Sequence, residues 1–135
     1  MNTKEETFNA SELRVEKGWY PNGQMKFRES YKGAILDGLC EYWWENGQLK
    51  LRGSAKDGKL DGLYEEWYKN GQLKARENYK DGKPHGLQEC WYPSGQLMCR
   101  DVYKNGNFVE ALPFDEKDSP KQIKIQEPKK KGLKL

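Results

Sequence analysis

Gly62-Leu63-Tyr64-Glu65-Glu66-Trp67-Tyr68-Lys69-Asn70-Gly71-Gln72-Leu73-Lys74 is the stretch on which the fold turns. Two runs rich in aromatic and aliphatic residues flank an Asn-Gly step, which is the local chemistry of a β-hairpin. The same string recurs at a fixed period of 24: Asn22-Gly23-Gln24, Asn46-Gly47-Gln48, Asn70-Gly71-Gln72 and then Ser94-Gly95-Gln96, without insertion or deletion. Trp19, Trp43, Trp67 and Trp91 hold one column, followed by Tyr20, Trp44, Tyr68 and Tyr92 in the next. Arg28, Arg52, Arg76 and Arg100 hold another; Val15, Leu39, Leu63 and Leu87 open each unit, and Met25, Leu49, Leu73 and Leu97 follow its turn. A period in this range is the mark of a repeat array, built from units that must stack on one another to bury anything.

The turn chemistry sets the pairing. Tyr-Pro-Asn-Gly at 20–23 and Tyr-Pro-Ser-Gly at 92–95 place Pro where a type I turn needs φ near −65° and Gly where φ turns positive. This predicts a three-residue loop closing on a Gly bulge, with Trp67 opposite Leu73, Glu66 opposite Lys74 and Tyr64 opposite Arg76. One face then collects Leu63, Trp67, Leu73, Ala75 and Tyr79, with Leu39, Trp43, Leu49, Leu51 and Ala55 in the copy before and Leu87, Trp91, Leu97, Cys99 and Tyr103 in the copy after. Glu41, Glu65 and Glu89 fall on this apolar face without explanation. The opposite face is expected to carry the Arg column, Tyr20, Trp44, Tyr68 and Tyr92, and Lys26, Lys50 and Lys74, with cationic stems lying over the rings.

A second turn recurs as Lys56-Asp57-Gly58-Lys59-Leu60-Asp61-Gly62 and Lys80-Asp81-Gly82-Lys83-Pro84-His85-Gly86, with looser versions at 32–38 and 104–110. The expected organisation is an N-terminal segment over 1–14, a short helix or disordered. An array follows over 15–112 in units 15–38, 39–62, 63–86 and 87–110, and then a linker and Lys-rich tail over 113–135. Lys121 to Gln126 alternates like one more strand, and Lys129, Lys130, Lys131 and Lys134 make the terminus basic.

The string from Gly62 to Lys74, followed by Tyr79-Lys80-Asp81-Gly82-Lys83, resembles the MORN repeat. It is most similar to the longer variant found in bacterial proteins labelled antitoxins of the YwqK type and in large DNA viruses and phages. The resemblance covers residues 15 to about 110. It implies an all-β fold, an elongated single-layer twisted antiparallel sheet of four consecutive hairpins, and a role as a protein-binding or assembly module. The usual repeat is richer in Gly within its strands, where only Gly53 matches here.

Composition narrows the functional classes. The chain has 135 residues, room for one ordinary domain, with 35% hydrophobic, 33% charged and 13% aromatic residues. Residues 1–114 carry 17 basic and 17 acidic side chains; the net charge of +3 lies wholly in the tail from 115, with seven Lys against four acids. The array thus has no general electrostatic attraction to nucleic acid or membrane, which leaves only the tail for either. Cys40, Cys90 and Cys99 form no CxxC pair and are odd in number, which points to a reducing setting, and Cys90 and Cys99 read as small strand residues. The sole histidine, His85, holds a turn position taken by Asp37 and Asp61 in neighbouring copies, and neither a nucleophile–base pair nor a metal-ligand spacing appears. Acids recur with the repeat, whereas a catalytic pair is normally unique.

The expectation is therefore a non-enzyme with no cofactor, metal or small-molecule substrate. It works in the cytoplasm or within a viral particle, without secretory signal or transmembrane segment. Its protein partner, or a second copy, docks on the sheet face of Trp19, Trp43, Trp67, Trp91, Leu49, Leu73, Leu97 and Tyr79. The alternative is a peripheral anchor to membrane lipid or nucleic acid through the basic terminus and the Arg columns.

Overall fold

A computed structural model describes residues 11 to 115, and these form nine β-strands and no helix. The strands are β1 (Leu13–Trp19), β2 (Met25–Lys32), β3 (Ile35–Trp43), β4 (Leu49–Lys56), β5 (Lys59–Trp67), β6 (Leu73–Lys80), β7 (Lys83–Trp91), β8 (Leu97–Lys104) and β9 (Asn107–Ala111). Each pairs antiparallel with the next, and the spatial order is the chain order, β1 to β9, in one open sheet. Every residue therefore touches only its own repeat and the adjoining ones, as expected of an array. β1 already begins at Leu13, within the predicted N-terminal segment, and β9 adds a strand to the eight anticipated. Residues 1–10 of that segment, the predicted strand at 121–126 and the lysines at 129–134 lie outside the described residues.

Two turn types alternate. At the Trp end, Gly71 N–H donates to the Tyr68 carbonyl at 2.9 Å and Tyr68 N–H to the Gln72 carbonyl at 2.8 Å, around Gly71 at φ 89°. This is the predicted three-residue loop with its Gly bulge, and it repeats at Gly23, Gly47 and Gly95. At the other end, Asp57-Gly58, Asp81-Gly82 and Asn105-Gly106 have positive φ at both positions, the two-residue turn whose twist matches that of the strands.

The register departs from expectation one residue inside each Trp. Trp67 does pair with Leu73, but the next pair is Glu66 with Ala75, followed by Glu65 with Arg76 and Tyr64 with Glu77. Lys74 is thus an extra residue, and the same shift follows Trp19, Trp43 and Trp91. A single bulged residue reverses the parity of everything beyond it. The predicted pairs Glu66 with Lys74 and Tyr64 with Arg76 are corrected accordingly. The Arg column moves onto the Trp face, while Tyr79, Ala75, Leu51, Ala55, Cys99 and Tyr103 move to the opposite one. The bulged lysine has an evident stabilising contact, since Lys26, Lys50 and Lys74 hold their ammonium groups 5.7, 4.7 and 5.6 Å from the ring centres of Tyr20, Trp44 and Tyr68.

Packing is thin. No large side chain is completely buried among the described residues. The densest point is a cluster of Leu73, Trp91 and Leu97 with Trp67 against it, near the C-terminal end of the array. Trp19, at the other end, is 57% exposed against 3% for Trp91.

Candidate functional site

The corrected register resolves the Trp face into four rows that cross the strands. The first is Trp19 with Met25, Trp43 with Leu49, Trp67 with Leu73 and Trp91 with Leu97. The second runs Lys17, Arg28, Glu41, Arg52, Glu65, Arg76, Glu89, Arg100, one residue per strand from β1 to β8, each opposite its neighbour. The third alternates Val15, Leu39, Leu63 and Leu87 with Ser30, Ser54, Asn78 and Val102. The fourth, beside the two-residue turns, is Lys32 with Ile35, Lys56 with Lys59, Lys80 with Lys83 and Lys104 with Asn107.

The second row accounts for the glutamates. Arg28 Nε donates to Glu41 Oε1 at 3.0 Å and Arg52 Nε to Glu41 Oε2 at 3.1 Å. Arg76 Nε reaches Glu65 at 3.1 Å and Arg100 Nε reaches Glu89 at 2.9 Å. The three carboxylates are only 5, 12 and 10% exposed, whereas Arg28, Arg52 and Arg76 are 42, 47 and 43% exposed. Water therefore meets guanidinium, with the acids beneath. Arg28 and Arg76 also lie 5.9 and 6.0 Å from the Trp43 and Trp91 ring centres. Arg76→Ala strands a nearly buried carboxylate, while Glu65→Ala frees a half-exposed cation that water solvates. The first is expected to cost roughly 2 kcal/mol and the second roughly 1, read by urea unfolding. Equal losses would show that the carboxylate does not depend on its partner.

The opposite face carries tyrosine–carboxylate pairs. Tyr31 and Tyr42 both donate to Glu29, Tyr64 donates to Glu66 at 2.8 Å, and Tyr79 donates to Glu77 at 2.8 Å, with the Tyr64 and Tyr79 rings edge to face at 5.9 Å. Burial first, and then the bond to a carboxylate, pushes the Tyr79 phenol up to about 12 and those of Tyr42 and Tyr64 higher still. The Tyr31 phenol is raised chiefly by its bond to Glu29. Since these phenols lose their protons less readily folded than unfolded, their contribution is complete below about pH 10 and is lost as pH climbs through the folded values. Alkaline titration should show phenolate absorbance from these residues appearing together with unfolding, above pH 10. Smooth titration of all tyrosines near 10 with the sheet intact would refute it.

Tyr20, Trp44 and Tyr68 do not form an open surface with the arginines. Tyr20 and Tyr68 hydroxyls donate to the Trp43 and Trp91 carbonyls at 2.6 and 2.8 Å, and the Trp44 indole donates to the Trp67 carbonyl at 3.2 Å. Each ties one repeat to the next, and the last of the column, Tyr92, is 48% exposed. His85 has a comparable structural task. Asp37 and Asp61 accept from the N–H groups of Asp57 and Asp81, and His85 Nδ1 accepts from Asn105 N–H at 3.1 Å in the same place. The Asp-to-His replacement thus keeps an acceptor at the site, which the spacing alone did not reveal.

The cysteines are also reassigned. Cys90 and Cys99 are a disulfide, with Cα atoms 5.2 Å apart across β7 and β8, while Cys40 is a buried thiol raised in pKa by burial. An odd count and the lack of a CxxC pair point to unpaired strand residues, but the bulge after Trp91 brings Cys99 opposite Cys90, where plain alternation would place Met98. Among the described residues no group of His, Cys, Asp or Glu could hold a metal ion, and no helix is long and apolar enough to cross a membrane.

Four segments, residues 15–32, 36–57, 60–81 and 84–105, match the family model of the MORN repeat variant and together take in more than half of the chain. The chain belongs to the MORN-repeat variant family. No curated protein and no solved structure gives a significant match. Each MORN unit from 36 onward spans one complete hairpin, from the strand that follows a two-residue turn to the first residue of the next such turn. MORN repeats in general take part in protein or membrane interactions.

Proposed function

We propose that this MORN array is a non-catalytic protein-interaction module whose contact surface is the Trp face. One observation carries the reading: aliphatic side chains Val15, Leu39, Leu63 and Leu87, at 52, 43, 47 and 38% exposure, form a line across that face where a monomer gains nothing by leaving them wet. The Trp and Leu row lies beyond the Arg–Glu row and offers less free surface at its C-terminal end, because Leu73, Trp91 and Leu97 are already buried within the sheet. Finer roles, an antitoxin-like binder or a structural part of a larger particle, are specific forms of the same reading. A chain working in the cytoplasm or inside a particle would carry Cys90 and Cys99 as thiols until it met an oxidant. Alkylation and mass spectrometry of the chain from its source read that state directly.

The test is recovery of the full chain with its bound proteins from the native source, comparing the unaltered sequence with Leu39→Glu/Leu63→Glu and with deletion of residues 128–135. Loss of a stoichiometric protein partner in the leucine variant, with retention in the deletion, supports the module. Loss on deletion, or on raising salt to about 0.5 M with the leucines intact, would instead favour a peripheral anchor through the basic terminus.

A further inference from the structure

Resting on that reading, we propose that the line of Val15, Leu39, Leu63 and Leu87 is a track for an extended acidic peptide segment with an apolar residue at every third position. The spacing decides the period. Successive members of the line stand two strands apart, about 9.6 Å at the usual inter-strand distance. A polyproline-II segment advances about 3.1 Å per residue, so its residues i and i+3 fall about 9.3 Å apart on one side. Over the three intervals of the line the mismatch sums to only about 1 Å. A heptad helix repeats every 10.5 Å or so and drifts out of step by about 3 Å over the same distance, and it lies straight where the sheet beneath it twists.

The flanks decide the charge. On one side stands the lysine row, with Lys32, Lys56, Lys59, Lys80, Lys83 and Lys104 all exposed; on the other stand the half-exposed guanidinium groups that cover the buried glutamates. With three residues per turn, the two positions between apolar anchors project to either flank, where carboxylates meet cations. The alternate strands leave room, because they place only Ser30, Ser54 and Asn78 in the line. Ser30 and Asn78 turn their polar atoms onto the Leu39 and Leu87 carbonyls at 2.7 and 2.8 Å. Two other occupants are disfavoured by charge. Residues 116–135 carry seven Lys against three acids, and a second copy would bring its own lysine row against this one.

The experiment is fluorescence anisotropy of the full-length chain with a labelled peptide of four Leu-Glu-Glu triplets. Two comparison peptides are one of the same composition with its leucines at irregular spacing and an acidic heptad helix of equal charge. The triplet peptide is expected to bind at least tenfold more tightly than either, and to weaken severalfold in about 0.5 M salt. Leu39→Glu/Leu63→Glu and, separately, Lys56→Glu/Lys80→Glu should each lower its affinity at least tenfold. All four side chains are solvent-exposed, so an unchanged thermal midpoint checks the fold. Equal binding of the regular and irregular peptides, tighter binding of the helix, or binding only to vesicles of anionic phospholipid would each overturn the proposal. If no peptide binds while the native protein partner is still lost in the leucine variant, the track's occupant is wrong and the interaction module stands. If the partner is retained in that variant, both fall.

Discussion

Trp91→Ala is expected to cost about 3–5 kcal/mol, the largest single loss available to this array. Trp91 is 3% exposed and packs with Leu73 and Leu97, the other buried members of the densest cluster, while Arg76 covers its ring. A thin sheet has little behind it to collapse into the space an alanine leaves, so the cavity contribution adds to the lost burial. Trp19→Ala removes the same side chain from the same column, but at 57% exposure it should cost below about 1 kcal/mol. The pair is an internal control, since one column of a repeat is being read at its two ends. Urea unfolding followed by far-ultraviolet circular dichroism measures both. Similar losses would mean that the column contributes through repeat chemistry and not through local burial. Trp91→Phe sharpens the comparison: the Trp91 indole N–H is buried and finds no acceptor among the described residues, so phenylalanine keeps much of the packing and removes a donor left without a bond.

The second large effect concerns the disulfide. Opening the Cys90–Cys99 bond frees a loop of about ten residues, which chain-entropy arguments put at about 2–3 kcal/mol. In an array of nearest neighbours the loss should be felt locally. Reduction, or Cys90→Ser/Cys99→Ser, should raise amide exchange in β7, β8 and β9 well before β3 and β4 respond. The bond lies on the opposite face from Trp91 yet one residue away from it, so the two perturbations are coupled, and a triple variant should lose less than the separate losses added. An exchange pattern that is uniform along the array, or unaffected by reductant, would contradict this account.

Much of this protein was legible from its residues. The period of 24, the hairpin turns and the shared face of the four tryptophans followed from the columns, while the single-layer all-β architecture is what the MORN resemblance implied. Turn chemistry is local, and Asn-Gly or Pro-Asn-Gly dictates backbone angles without help from distant contacts. The MORN resemblance drew on the same columns. What the residues did not reveal was the bulge after each tryptophan. Nothing in Gln72-Leu73-Lys74 announces that Lys74 will be left without a partner. The signal, visible only in retrospect, is a lysine held at 26, 50 and 74 beside an aromatic at 20, 44 and 68.

From that one residue per hairpin came each of the errors in side-chain placement. Plain alternation puts the arginines away from the tryptophans and Tyr79 among the apolar contacts, leaves the glutamates without partners and keeps Cys90 from facing Cys99. Residue order is enough to set which elements form and in what succession, because these depend on φ preferences and on alternation within a few residues. Tertiary structure alone decided which columns meet across strands. Pairing parity changes with each bulged residue, and the energy that fixes a bulge comes from the neighbouring strand.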